Sequence, residues 1–157
     1  MLQLELESEA ATLALARLLA AELQAGDVVG LEGDLGAGKT TFARGALRGL
    51  GVPEDVPVTS PTFALLHQYR GWLPIVHADL YRLGDAAELE ELGLEEVLEE
   101  GAVLLVEWGR RFEEIAERTV LWVELDIASE HRRQVCLRPQ GHRGDAIIRA
   151  LGDRLGG

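Results

Sequence analysis

An α/β fold, with a mainly parallel central sheet flanked by helices and antiparallel additions, is what this chain predicts, on three observations. Short apolar runs that read as strands alternate with helically spaced segments along most of the sequence. The octapeptide Gly33-Asp34-Leu35-Gly36-Ala37-Gly38-Lys39-Thr40 satisfies the P-loop pattern at every specified position, and it stands between a strand over 27–32 and a helix over 40–50. The 157 residues make one ordinary domain, 1–157, long enough to bury a core without disulfides or a structural metal.

The loop has a clear physical purpose. Its glycines allow the backbone N–H groups of Leu35, Gly36, Ala37, Gly38, Lys39, Thr40 and Thr41 to turn around phosphate oxygens, while the following helix presents its positive end to the same anion. Lys39 then neutralises the β- and γ-phosphates, and Thr40 offers a hydroxyl to Mg²⁺, which prefers oxygen ligands. Lys39 is also the sole lysine among 15 basic side chains, so this arginine-rich chain carries one where a P-loop needs it.

Composition narrows the classes further. Hydrophobic residues at 47% and charged residues at 27% fit a soluble globular protein rather than a disordered one. The formal net charge of −12 argues against direct, non-specific nucleic-acid binding, although Arg132, Arg133, Arg138, Arg143 and Arg149 leave open a local basic patch as well as a solvated surface. A lone cysteine, Cys136, cannot form an internal disulfide and reads as a small core residue in a strand. The acidic start lacks a signal-peptide core, and no apolar run approaches about 18 residues, so a cytosolic protein with no membrane contact is expected.

In chain order, Leu2, Leu4 and Leu6 alternate with polar residues and predict a half-buried strand. Ser8 caps a helix that runs to Gln24, with Leu15, Leu18, Leu19 and Leu23 at helical spacing. After the P-loop helix, Pro57 to Phe63 carries two prolines and three hydroxyl residues and reads as an ordered loop; Ser60 and Thr62 are candidates to sense a γ-phosphate, a simple turn being the other reading. Residues 64–69 and 72–78 form a predicted hairpin, which ends by placing Asp79 at a strand's carboxyl end, where a nucleotide would lie. His77, beside it, reads as a structural histidine or as a base. Acidic residues crowd two short helical pieces over 85–100, broken near Gly93, which read as a solvated face or a docking surface for a basic partner. Residues 102–108 predict a central parallel strand that delivers Glu107 to the P-loop side, where P-loop enzymes keep the acid that holds Mg²⁺ or its water. Strands over 120–126 and 134–137 and an amphipathic helix over 143–155 complete the chain.

Several classes of P-loop protein are excluded. A GTPase reads guanine through an Asn-Lys-x-Asp-type element, which a chain whose only lysine is Lys39 cannot supply, so ATP is favoured. No lid-length insertion of the small-molecule-kinase type is visible, and 157 residues do not hold a motor's partner domains. A minimal ATP-dependent switch remains, with a small kinase using His77 or Asp79 as base, or a module that binds nucleotide without turnover, as the alternatives.

The stretches GDLGAGKTTF (33–42), SPTF (60–63), HADLYRL (77–83), ELEELGLEE and VEW (106–108) occur in the order seen in the bacterial TsaE family, formerly called YjeE, which this chain resembles over roughly residues 26–108. The resemblance implies a small Mg²⁺-dependent ATPase that assists formation of threonylcarbamoyladenosine on tRNA at the adenosine next to the anticodon; slow hydrolysis in isolation is expected because P-loop proteins often need a group or conformation that a partner supplies. It implies TsaB and TsaD proteins as partners that hold the transfer chemistry and engage the tRNA, with TsaC making the activated intermediate. By similarity, Lys39 contacts phosphates, Thr40 and Glu107 hold Mg²⁺, Asp79 assists at the metal or the attacking water, and Ser60 and Thr62 belong to a switch-like loop. Trp108 lies beside the site, Arg133 (or its neighbour Arg132) near the nucleotide, and Ser8 and Glu9 at the adenine. Gly109-Arg110 departs from the proline and acidic or amide residue of many members.

Overall fold

The computed structural model describes residues 1–156. Its centre is one seven-stranded sheet, in the order β1-β7-β6-β2-β5-β4-β3. In chain order the strands are β1 (Leu2–Leu6), β2 (Val28–Glu32), β3 (Leu66–Arg70), β4 (Pro74–Asp79), β5 (Val103–Glu107), β6 (Thr119–Ile127) and β7 (Arg133–Pro139). The four inner strands β6, β2, β5 and β4 run parallel; β3 closes one edge antiparallel, and β7 with β1 closes the other. The expected parallel sheet with antiparallel additions is therefore the observed one.

The helices are α1 (Glu9–Ala20), α2 (Lys39–Gly49), α3 (Ala86–Glu91), α4 (Leu94–Glu99), α5 (Glu113–Arg118) and α6 (Gly141–Gly156). One face of the sheet packs against α1, α2 and α6 through Leu15, Leu19, Phe42, Leu47, Ile147 and Leu151. The other face packs against α3, α4 and α5 through Leu89, Leu94, Leu98 and Ile115. Burial on both faces is why β5 reads as an unbroken apolar run, since each of its residues is buried.

The boundaries differ from expectation where side chains intervene. The first helix ends at Ala20, not Gln24, because the Asp27 carboxylate accepts the Gln24 N–H at 2.7 Å and is itself clamped by Arg143, closing a turn. The strand expected from residue 64 begins at Leu66, since Leu65 has φ 70° and donates its N–H to the Pro61 carbonyl. Helix α5 and the 3-10 turn Gly109–Arg111 carry no periodic signal, having only Ile115 and Gly109 buried. Cys136 is half-buried on β7 rather than a core residue, because Val135 and Leu137 take the inward positions. The late arginines do not pool into a basic patch: Arg132 pairs with Glu7, Arg138 with Glu124 and Arg143 with Asp27. Among the described residues, no helix is long and apolar enough to cross a membrane.

Candidate functional site

The parallel strands β2, β4 and β5 end together, and the chain after each builds one wall of a cleft. In register, Leu31 stands beside Glu107 and Glu107 beside Asp79, so both carboxylates emerge on one face at the carboxyl end of the sheet. The cleft has a volume of about 490 Å³ and is lined by Glu9 and Thr12 of α1, the loop residues Leu35, Gly36 and Gly38, and Lys39, Thr40 and Thr41 of α2. Ser60, Thr62, Asp79, Tyr81, Glu107, Trp108, Glu130, His131 and Arg133 complete the lining.

Its floor is the start of α2. Gly38 takes the N-cap position at φ 106°, with no side chain capping the helix, so the first N–H groups of α2 remain available to an anion in the cleft. Lys39 is only 6% exposed; its Nζ donates to the Gly33 carbonyl at 2.6 Å, lies 4.0 Å from Glu107 Oε1 and sits 4.4 Å from the centre of the Trp108 ring. Trp108 is brought there by its own backbone, which turns to φ 63° as β5 ends and lays the indole against Tyr81 at 5.0 Å between ring centres.

The loop after α2 is tied to the acid wall. Ser60 Oγ and Thr62 Oγ1 are 2.6 Å apart, and Thr62 donates to Asp79 Oδ2 at 3.1 Å, while Asp79 Oδ1 accepts the Tyr81 N–H at 3.0 Å. A change at Thr62 therefore reaches Asp79 directly, and one at Ser60 reaches it through Thr62.

Arg133 takes up the role of a clamp. Its Nε donates to the Ala37 carbonyl and its Nη2 to the Gly36 carbonyl, both at 3.1 Å, while Nη1 faces the carbonyls of Ser129, Glu130 and Arg132. With the Ala37 carbonyl drawn outward, the same peptide group turns the Gly38 N–H inward. Arg132 points away, at 2.8 Å from Glu7, and does not line the cleft.

Most of the expected site residues thus meet in one cleft. Ser8 is the exception: its hydroxyl accepts the Ala11 N–H at 3.1 Å to cap α1, and Thr12, one turn on, faces the cleft instead. Ala37 is buried beneath the loop and contributes backbone alone. A base role for His77 is overturned, because the ring is 0% exposed and its Nε2 is bonded to Glu107 Oε2 at 2.8 Å, leaving it no access to a substrate hydroxyl. Sequence reading missed Thr12, Tyr81, Glu130 and His131 as lining residues, and no local signal marks them. It also missed Arg111, whose guanidinium donates to the carbonyls of Leu80, Tyr81 and Leu83 and so fixes the segment that follows Asp79.

The electrostatics favour a divalent cation beside any bound polyphosphate. Four carboxylates (Glu9, Asp79, Glu107 and Glu130) line the cleft against the two cations Lys39 and Arg133. Among the described residues no group of three His, Cys, Asp or Glu side chains forms a ready cation cage. That donor set fits Mg²⁺, which keeps its waters and is held by one or two carboxylates together with substrate phosphates.

Glu32, which ends β2 beside the loop, shows the cost of burial. Desolvation holds its carboxyl above the ordinary value of 4.5, Arg110 offsets only part of that, and Oε1 has no hydrogen-bond partner. A carboxyl whose folded value is raised costs stability progressively as pH rises from the ordinary value through the raised one, and costs nothing below both, where it is protonated in both states. Glu32→Gln should therefore raise the thermal midpoint at pH 7 by about 2–4 °C, roughly 1 kcal/mol for a chain of this size. The gain should vanish as pH falls through 4.5. A gain that is the same at pH 7 and pH 4 would contradict this assignment.

Comparisons with known proteins agree with the geometry. The family model described as "Threonylcarbamoyl adenosine biosynthesis protein TsaE" matches residues 6–135. The chain is 41% identical over 141 residues to the "tRNA threonylcarbamoyladenosine biosynthesis protein TsaE" of Bacillus subtilis (strain 168), covering 89% of this chain and 87% of that one. The protein of the same description from Streptomyces coelicolor is 49% identical over 108 residues, covering 66% of this chain and 71% of that one. Among solved structures, "Crystal structure of Bacillus subtilus YdiB" superposes with a TM-score of 0.79 at 33% identity, covering 98% of this chain and 95% of that chain.

Proposed function

Because this chain belongs to the TsaE family of threonylcarbamoyl adenosine biosynthesis proteins, we propose that it is a Mg²⁺-dependent ATPase that assists threonylcarbamoyladenosine modification of tRNA at the adenosine next to the anticodon. It acts with the TsaB and TsaD proteins and reaches tRNA only through them, which suits a net charge of −12. The observation that carries the reading is the meeting of Lys39 and Glu107, both almost fully buried and 4.0 Å apart, at the open amino end of α2.

In this reading the triphosphate lies against the N–H groups of residues 35–41, with Lys39 shifting from the Gly33 carbonyl and Trp108 onto the β- and γ-phosphates. Mg²⁺, when bound, supplies charge stabilisation of the transferring phosphoryl group. Thr40 and Glu107 are the side chains that would hold it, and Asp79, tethered to Thr62, orients the attacking water or shares the metal. Glu9 and Thr12 border the space left for the base. The whole is one domain over residues 1–157, working in the cytoplasm.

Hydrolysis should be slow in the isolated protein, since P-loop proteins often wait for a group or a conformation that a partner supplies. The deciding measurement is Mg-ATP hydrolysis by the purified protein, alone and with TsaB and TsaD, beside a GTP control. Stimulation by those partners with a preference for ATP is the expected result. An unchanged rate with both partners present would sink the accessory-ATPase reading, and turnover stimulated by a metabolite instead would move the assignment to a small-molecule kinase with Asp79 as its base.

A further inference from the structure

Among the described residues His77 is the one polar ring that is 0% exposed, and the proposed reaction leaves it without a task. It sits on β4 two residues before Asp79, on the face it shares with Ile75, and its Cα partner on β5 is Leu105. From there its ring reaches diagonally to the next inward residue of β5, Glu107, with Nε2 at 2.8 Å from Oε2. The other ring nitrogen, Nδ1, is buried without any partner. These two facts fix the tautomer: the hydrogen is on Nε2, where it is donated to the carboxylate, because a proton on Nδ1 would be an unsatisfied buried donor.

The consequence lies at Glu107. A glutamate carboxylate can rotate about its terminal side-chain bond unless one oxygen is held, and here Oε2 is held from inside the sheet while Oε1 faces Lys39 at 4.0 Å. The two oxygens are thereby given separate work. We propose that His77 is a positioning residue for the divalent cation: it fixes Glu107 so that Oε1 is presented to the cleft, and it sets the protein's affinity for Mg²⁺ while contributing nothing to its affinity for the nucleotide. His77 touches neither substrate nor cation. It acts through Glu107 alone, as partners behind a metal-binding carboxylate do when they restrict its orientation.

This inference rests on the Mg-nucleotide reading above. Its test compares the wild type with His77→Leu, which fills the space but donates nothing, and His77→Gln, whose amide nitrogen falls near the place of Nε2. Affinity for ADP is measured by calorimetry across a Mg²⁺ series and again in EDTA. His77→Leu should need about 10–100-fold more Mg²⁺ for half-saturation. In EDTA its ADP affinity should stay within about twofold of the wild type. His77→Gln should recover most of the Mg²⁺ dependence, a rescue that volume alone does not produce. Should His77→Leu fail to fold, His77→Asn takes its place, because its amide is too short to reach Oε2.

A folded His77→Leu or His77→Asn with wild-type Mg²⁺ dependence overturns the inference, and so does an equal loss of ADP affinity with and without the metal. A wild type that shows no Mg²⁺-dependent nucleotide affinity overturns the function proposed above and this inference with it. A normal wild type beside an unaffected variant overturns this inference only.

Discussion

Lys39→Ala should lower ATP hydrolysis by about 10²–10³-fold, the scale of losing one preorganised charged donor to a developing negative charge. The effect is this large because nothing else in the cleft can substitute. Lys39 is the chain's only lysine, and Arg133, the other cation in the lining, is engaged by the carbonyls of the loop and of the β6–β7 turn. The substitution also strips Glu107 of its nearest cation, leaving a buried carboxylate with His77 as its sole neutral donor. Some loss of stability is therefore expected, and a circular-dichroism melt separates that loss from the effect on chemistry. Hydrolysis at the wild-type rate by a folded Lys39→Ala protein would refute the site.

Gly33→Ala should be the most disruptive single-methyl change at the site. At φ 152° the backbone of Gly33 passes so close to β6 that an added Cβ would lie 2.5 Å from the Leu125 carbonyl oxygen and 3.1 Å from Ala37 Cβ. Neither a backbone oxygen in a central strand nor a methyl packed under the loop can move aside cheaply. A loss of about 2–4 kcal/mol is expected, or roughly 5–15 °C in the thermal midpoint, together with loss of nucleotide affinity. Gly36→Ala is the control. Gly36 also has a positive φ, 83°, but its Cβ would meet nothing within 4 Å, so only the backbone strain of about 1 kcal/mol applies. Equal melting temperatures for the two variants would show that the contact with Leu125 does not govern the loop.

The particular residues show where legibility ended. Lys39, Thr40, Asp79 and Glu107 were readable because each stands at a fixed offset from a local pattern: a complete glycine loop, or the last position of an apolar run. The same holds for the short strands and for the two acidic helices parted at Gly93, which takes φ 71°. Arg111, Thr12 and Glu130 were not readable, since their importance comes from carbonyls and cleft walls contributed by chain segments with which they share no local pattern.

By itself, then, the sequence determined the P-loop, the order of the strands and of every helix but α5, the two carboxylates and the family resemblance, because glycine spacing, hydrophobic period and a strand's terminal residue are properties of neighbours along the chain. Tertiary structure alone decided that Arg133 grips the loop from 97 residues beyond Gly36, that Ser8 faces its own helix rather than the cleft, and that His77 is sealed against Glu107. Those are matters of which side chains a sheet brings within hydrogen-bond reach, and reach across a sheet follows strand order and register, which no local window of sequence contains.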